Sequence, residues 1–151
     1  MRREEMPTIE DRMTPDPVTI RSDQTVGEAF VLMFEHDIRH LPVVEHNKLV
    51  GILSDRDIRQ FLGKARIGID DFEKEKLQLR LPVREIMATH VQTVEGTTPI
   101  GEGVKRMVDH KIGALPVVDL DKRVVGIFTE FDALHYALYL IERYQGTYPK
   151  T

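Results

Sequence analysis

At 151 residues the chain can bury one ordinary core but not two large independent ones, so any repeats within it must share a core. Hydrophobic residues at 41% and charged residues at 30% exclude a disordered or fibrous class, and the lack of cysteine excludes disulfides, thiol catalysis and thiolate metal sites. A formal charge of −4 with both signs interspersed lacks the basic bias of a nucleic-acid binder, although a few arginines and helix N-termini suffice for a local anion site.

No apolar run approaches the roughly 20 residues a membrane span needs, and Met1-Arg2-Arg3-Glu4-Glu5-Met6-Pro7 leads into no signal-like stretch; both predict a cytoplasmic protein away from membranes. Behind Met13, Val18-Thr19-Ile20 reads as a short extended segment of β-branched residues. A helix over Thr25–Asp37 follows, with Thr25 and Glu28 spaced as a capping box and Val26, Ala29, Phe30, Met33 and Phe34 as its apolar stripe. Leu41–Val44 and Leu49–Leu53, joined by the polar turn Glu45-His46-Asn47-Lys48, predict a hairpin, and a second helix opens at Ser54. Residues 63–81 carry Asp70, Asp71, Glu73, Lys74, Glu75 and Lys76 ahead of Pro82, a charged run that predicts a solvated helical connector, with a partner-specific insert as its alternative.

From Met87 the series begins again. Gln92-Thr93-Val94 is the extended segment, Thr98-Pro99 starts a helix, and Ile100, Val104, Met107 and Val108 form its expected buried stripe. Leu115–Val118 and Val124–Phe128 are the strands, and a last helix runs from Thr129 through Leu134, Leu138 and Ile141 to about Tyr144. A shift of 74 residues superposes Met13 on Met87, Thr19 on Thr93, Gly27 on Gly101, His36 on His110 and Leu41-Pro42-Val43-Val44 on Leu115-Pro116-Val117-Val118. One inserted residue then moves the offset to 75, where Val50-Gly51-Ile52 meets Val125-Gly126-Ile127 and Asp57 meets Asp132. The predicted fold is therefore α/β (α+β): two β-α-β-β-α repeats, over residues 8–62 and 82–145, either side of the 63–81 connector. Neither copy could bury both faces of so short a sheet alone, so the two are expected to pair.

Each hairpin ends in a matching phrase, Gly51-Ile-Leu-Ser-Asp-Arg-Asp57 and Gly126-Ile-Phe-Thr-Glu-Phe-Asp132, in which a hydroxyl precedes an aspartate by three residues. That spacing suits a helix N-cap with a carboxylate in the first turn. It also suits a ribose site, where the carboxylate accepts bonds from two neighbouring hydroxyls while the Ser54 or Thr129 hydroxyl and the helix N-terminus face a phosphate. The two roles are compatible.

The paired phrases, the Leu-Pro-Val-Val strands and the Met13 and Met87 leads resemble a tandem cystathionine-β-synthase (CBS) domain pair, or Bateman module, across nearly the whole chain. The resemblance implies a stand-alone, disc-like pseudo-twofold module, often dimerised, whose inter-repeat clefts bind AMP, ADP, ATP or a related ligand such as S-adenosylmethionine; NAD is a further candidate. It implies no catalysis by the domain, and regulation of an attached enzyme, channel or transporter or of a separate protein. Residue by residue, it implies ribose contacts from Asp57 and Asp132, and phosphate or ribose contacts from Ser54 and Thr129. Adenine would lie near Thr19 and Ile20 in one site and Thr93 and Val94 in the other, its edge read by backbone beside Pro42 and Pro116. For Thr19 and Thr93, plain strand propensity is an equal reading.

The copies differ where anion affinity would be set, since Arg39, His40 and Arg56 are replaced by Gly113, Ala114 and Phe131. Arginine forms bidentate bonds to phosphate, so the first repeat suits a charged nucleotide, while Gly113 and Ala114 admit close backbone approach to a base. Phe131 would stack on a ligand or block one, and Arg39 and Arg56 have a plain solvated-surface reading as well. The six histidines show no metal-ligand spacing, and no phosphate-binding loop, nucleophile elbow or dinucleotide fingerprint is present, so neither a metal nor an enzymatic activity is expected. Tyr136, Tyr139, Leu140 and Tyr144 on the last helix read either as cover for the core or as a homodimer seam.

Overall fold

The structure, a computed structural model, describes residues 6–63 and 69–145. In chain order its elements are β1 (Thr14–Pro15), β2 (Ile20–Arg21), α1 (Val26–His36), β3 (His40–Glu45), β4 (Lys48–Ser54), α2 (Asp55–Gly63), α3 (Ile69–Leu79), α4 (Ile100–His110), β5 (Ala114–Val118), β6 (Val124–Thr129) and α5 (Glu130–Tyr144). Single 3-10 turns stand at Ile9–Asp11 and Val83–Glu85. Within the described residues these elements gather into two compact units: a first-repeat unit of Pro17–Val91 with Leu120–Val124, and a second-repeat unit built on 92–119 and 125–145, joined by residues 6–16.

In the first-repeat unit the sheet order is β2-β3-β4, with β2 parallel to β3 and β3 antiparallel to β4. The hairpin closes through His46 and Asn47, whose φ values of 48° and 64° are the paired left-handed conformations that match strand twist. Thr25 and Glu28 form the expected capping box at 3.1 and 2.8 Å, and α1 ends at Asp37, a left-handed residue whose amide donates to the Met33 and Phe34 carbonyls. Ile20, Val26, Ala29, Met33, Leu41, Val43, Leu53, Ile58 and Val83 make the core. The second-repeat unit has sheet order β1-β6-β5 and a core of Ile9, Val94, Ile100, Met107, Leu115, Val117 and Phe128.

The apolar stripes are narrower than the sequence implied. Phe30 and Phe34 are 52% and 80% exposed and Val108 is 69% exposed, whereas Val26, Ala29 and Met33, and Ile100 and Met107, are buried. A helix lying on one face of a sheet covers only the residues at i, i+3 and i+7, and Phe30, Phe34 and Val108 sit one flank further round. The connector expected over 63–81 contains α3, but residues 64–68 and the side chains of Asp70 and Asp71 lie outside the described residues.

The first residues of each repeat, up to Asp16 and from Pro82 to Val91, fold into the unit built on the rest of the other repeat. Ile9 and Val83, both fully buried, occupy matching places in the two cores. The Ile9 amide donates to the Thr98 carbonyl at 2.8 Å and the Val83 amide to the Gln24 carbonyl at 2.7 Å. Further along, Thr14 pairs with Ile127 in β6, and Ala88 exchanges two backbone bonds with Ile52 in β4, at 2.9 and 3.0 Å. Met13 and Met87 then lie flat on Gly126 and Gly51. A Cβ on Gly51 would stand 2.5 Å from the Met87 sulfur and 2.9 Å from the Ala88 carbonyl oxygen; one on Gly126 would strike only the Met13 side chain.

Methionine can move and a paired backbone carbonyl cannot, so the two glycines should tolerate a methyl group unequally. Gly51→Ala is expected to lower stability by about 1–3 kcal/mol and Gly126→Ala by less, measured as urea midpoints of the two variants against the parent chain.

Candidate functional site

In the first-repeat unit the parallel pairing of β2 with β3 places Ile20 opposite Val43, and the antiparallel pairing of β3 with β4 places His40 opposite Ser54 and Pro42 opposite Ile52. Thr19, His40 and Ser54 therefore stand at one end of the sheet, where α2 begins. The Asp55 amide donates to the Arg39 carbonyl at 2.9 Å, which ties the start of α2 to the start of β3. Arg39, His40, Ser54, Arg56 and Asp57 are thus gathered around one helix N-terminus, with Thr19 and the buried Ile20 and Pro42 beside them. Arg39 and Arg56 are exposed and enter no ion pair among the described residues; Asp55 is paired with Arg59.

The second-repeat unit reproduces the arrangement. Val94 bridges to Val117, so Thr93 lies alongside Pro116, and the Glu130 amide donates to the Gly113 carbonyl at 2.9 Å, as Asp55 does to Arg39. Gly113, Ala114, Thr129 and Asp132 are brought to the same end. Ala114 and Pro116 are buried, and Phe131 is 67% exposed, its ring 5.2 Å from that of His135. The Pro116 carbonyl accepts from the Val94 amide at 3.2 Å, which leaves it one lone pair for any further donor.

Both hydroxyl–aspartate pairs are complete capping boxes. The Ser54 amide donates to Asp57 Oδ2 at 2.8 Å and the Asp57 amide to Ser54 Oγ at 3.1 Å. The Thr129 amide donates to Asp132 Oδ2 at 2.8 Å, the Thr129 hydroxyl to the same oxygen at 3.1 Å, and the Asp132 amide to Thr129 Oγ1 at 3.4 Å. In each box the cap uses Oδ2, and Oδ1 has no partner among the described residues. A carboxylate fixed through one oxygen beside a helix N-terminus presents the other as a pre-aimed acceptor, while the dipole and the first free amides favour an anion nearby.

One residue beside the site escaped the sequence reading. Arg106 on α4 donates through Nη1 to the Thr93 carbonyl at 2.7 Å and through Nη2 to Glu102 at 2.8 Å. Its only trace in the sequence is that the matching position of the first repeat holds Leu32. Among the described residues no cluster of three or more His, Asp or Glu side chains could hold a metal, and no helix is long and apolar enough to cross a membrane.

The sequence profile of the CBS domain matches residues 9–64 and again 83–139. The chain belongs to the CBS domain family. Among solved CBS-pair structures, AcuB of Vibrio cholerae is 36% identical, with a TM-score of 0.76 over 96% of this chain and 99% of that one. The CBS domain pair of protein MJ0100, solved with 5′-methylthioadenosine and S-adenosyl-L-methionine, is 31% identical with a TM-score of 0.73 over 85% of this chain and 98% of that one. CBSX2 of Arabidopsis thaliana, solved with AMP, is 28% identical with a TM-score of 0.73 over 89% of this chain and 98% of that one. Curated relatives include an L-aspartate semialdehyde sulfurtransferase of Methanocaldococcus jannaschii, 34% identical over 82% of this chain. This CBS pair spans only 22% of that enzyme's length.

The caps carry their own stability whatever else they bind. Ser54→Ala and Thr129→Ala should each cost about 1 kcal/mol in chemical denaturation. Asp57→Asn and Asp132→Asn should cost less, since the amide oxygen still accepts from the Ser54 or Thr129 backbone N–H.

Proposed function

We propose that this CBS pair is a non-catalytic regulatory module that binds an adenosine ligand in each compact unit and signals through a ligand-dependent change in repeat or dimer arrangement. The observation that carries the reading is the pair of half-used carboxylates. Asp57 and Asp132 each hold Oδ2 in a cap and keep Oδ1 without a partner among the described residues, on the first turn of a helix that starts at the sheet end where Thr19 with Pro42, or Thr93 with Pro116, lies. The same family holds 5′-methylthioadenosine, S-adenosyl-L-methionine or AMP in solved relatives, all of which carry an adenosine ribose.

Within that reading the ribose diol goes to Asp57 or Asp132 and the adenine to the Thr19–Ile20 or Thr93–Val94 lead. A 5′-phosphate goes to Ser54, Arg39, His40 and Arg56 in the first-repeat unit. Gly113, Ala114 and Phe131 in the second-repeat unit supply no cation, so AMP, ADP or ATP is assigned to the first site and an uncharged adenosine derivative to the second. We place the protein in the cytoplasm, acting on an attached domain or a separate protein. A bound ligand can shift the module only by its difference in affinity for the two arrangements.

A second reading, a ligand-independent interaction module, is favoured by the completeness of the caps themselves. Calorimetric titration of the chain with AMP, ATP, S-adenosylmethionine, NAD and 5′-methylthioadenosine separates the two. The sensor reading expects micromolar binding, with AMP affinity falling about tenfold or more in Asp57→Asn while the melting temperature stays near that of the parent, and 5′-methylthioadenosine responding to Asp132→Asn instead. Heat from none of the five would leave the interaction module.

We also propose a homodimer through α5. Phe131, Leu134, Leu138 and Ile141 are all more than half exposed and follow the 3-4-3 spacing of a helix-pairing seam, with Tyr139 and Tyr144 exposed beside them. The matching positions Arg56, Arg59 and Gly63 of α2 make no such stripe, so a self-complementary contact would join second repeats to each other. Tyr136 packs on the core and Leu140 is half-buried, so these two serve as cover more than seam. Leu134→Arg with Leu138→Arg should convert a sedimenting dimer to a folded monomer; unchanged sedimentation would exclude α5 as the seam.

A further inference from the structure

The two leads that flank the candidate sites are held by different chemistry. In the first-repeat unit, Val18 and Leu32 each pack against the core, and the lead continues into β2, which pairs with β3 at both Ile20 and Arg21. Beyond it the Ser22 amide donates to the Val44 carbonyl at 3.2 Å, and the buried Ser22 hydroxyl donates to Glu45 at 2.7 Å. In the second-repeat unit the corresponding lead has a single bridge, Val94 to Val117. The positions of Val18 and Leu32 are there Gln92 and Arg106, so two core-packing apolar residues are both replaced by polar ones. Gln92 is exposed, and Arg106 spans from Glu102 on its own helix to the Thr93 carbonyl.

We infer that Arg106 is a positioning residue for the adenosine ligand of the second-repeat unit, an inference that rests on the reading of that unit as a ligand site. The guanidinium fixes the plane of the peptide that follows Thr93. It thereby sets where the Thr93 hydroxyl and the Val94 side chain stand relative to Pro116 and Asp132. A planar group making two charge-assisted bonds in fixed directions restrains that peptide better than a point charge would. The N–H edge of that peptide is held by the Val94 amide's bond to the Pro116 carbonyl at 3.2 Å, and Arg106 holds the opposite, carbonyl edge. The first-repeat unit has no need of it, because Val18, Leu32 and a paired β2 already hold Thr19.

The test uses the full chain carrying Asp57→Asn, so that the second-repeat site is read alone, titrated with 5′-methylthioadenosine. Arg106→Leu should weaken binding about tenfold with little change in melting temperature, because leucine is the residue the first repeat carries at that helix position. Arg106→Met, which keeps the aliphatic stem, should weaken it likewise and replaces the leucine variant if that one melts early. Gln92→Val combined with Arg106→Leu rebuilds the first repeat's apolar pair and should bring the affinity back to within about twofold of the Asp57→Asn chain. Unchanged affinity in Arg106→Leu overturns the inference. So does a loss that the paired replacement fails to restore, which would mean that Arg106 acts by its charge on the ligand. Binding by the parent chain that vanishes in Asp57→Asn overturns the inference alone, whereas a parent chain that binds no adenosine compound overturns the reading beneath it too.

Discussion

Gly51 in β4 and Gly126 in β6 mark the places where a methionine from another stretch of chain lies closer than an added methyl group allows without a shift. Met87 with Ala88 lies on the first and Met13 on the second, and the residues back to Val83 and Ile9 are drawn in behind them. Val83 and Ile9, four residues before each methionine, are fully buried in the cores so reached. The consequence is that a repeat in the sequence and a folded unit are different sets of residues. Removing the first residues of the first repeat, Ile9 among them, would open the core of the second-repeat unit. The contacts that close each unit are long-range, so their loop-closure entropy must be met by burial of whole side chains such as Ile9 rather than by local hydrogen bonds.

The same economy of parts governs the sheet ends. A bond from the amide opening α2 or α5 to the carbonyl of residue 39 or 113 fixes the helix start against the first residue of the neighbouring strand. The capping box then fixes the aspartate within the first turn. No loop is interposed between the scaffold and the acceptor oxygen, so the carboxylate is as rigid as the helix that carries it. A ligand meeting it need not order a side chain first, which removes one of the ordinary costs of binding.

The repeat, both hairpins, the capping boxes and the limits of α1 and α5 are legible in the sequence because each rests on local chemistry: hydroxyl and carboxylate spacing, a two-residue turn, periodic apolar residues. The exchange of the leads is not. β1 is two residues long, one of them Pro15, and offers no periodicity, while the Val83 turn is recognisable only by what it is buried against. Phe30, Phe34 and Val108 read as core for the opposite reason, since hydrophobicity reports that a side chain seeks cover without saying whose. For the candidate sites, the residue types at Ser54, Asp57, Thr129 and Asp132 were readable, and so was the contrast of Arg39, His40 and Arg56 with Gly113, Ala114 and Phe131. The bond from Arg106 to Thr93 was not, because it joins a helix to an extended segment thirteen residues earlier through a backbone carbonyl.

The differences between the units are concentrated at the periphery, and their direction depends on the place. The cores keep the same residue types at matching positions, Val26 with Ile100, Met33 with Met107, Leu41 with Leu115. Around them, the second-repeat unit exchanges apolar for polar at the lead, where Val18 and Leu32 become Gln92 and Arg106, and at the segment that crosses to it, where Arg12 rests on the Tyr136 and Tyr139 rings at 5.2 and 4.7 Å while its counterpart Ile86 packs on the other core. On the outer face of its last helix it exchanges polar for apolar, Phe131 and Leu134 standing where the first repeat has Arg56 and Arg59. Tyr136 and Tyr139 belong to α5, the helix whose outer face carries that stripe and whose first turn holds Asp132. The stripe therefore shares one helix with the aspartate at its N-terminus and lies one cation–π contact away from the crossing segment. In the first-repeat unit α2 presents arginines instead, which leaves the second-repeat unit as the one in which an exposed apolar stripe and a candidate ligand site share a single helix.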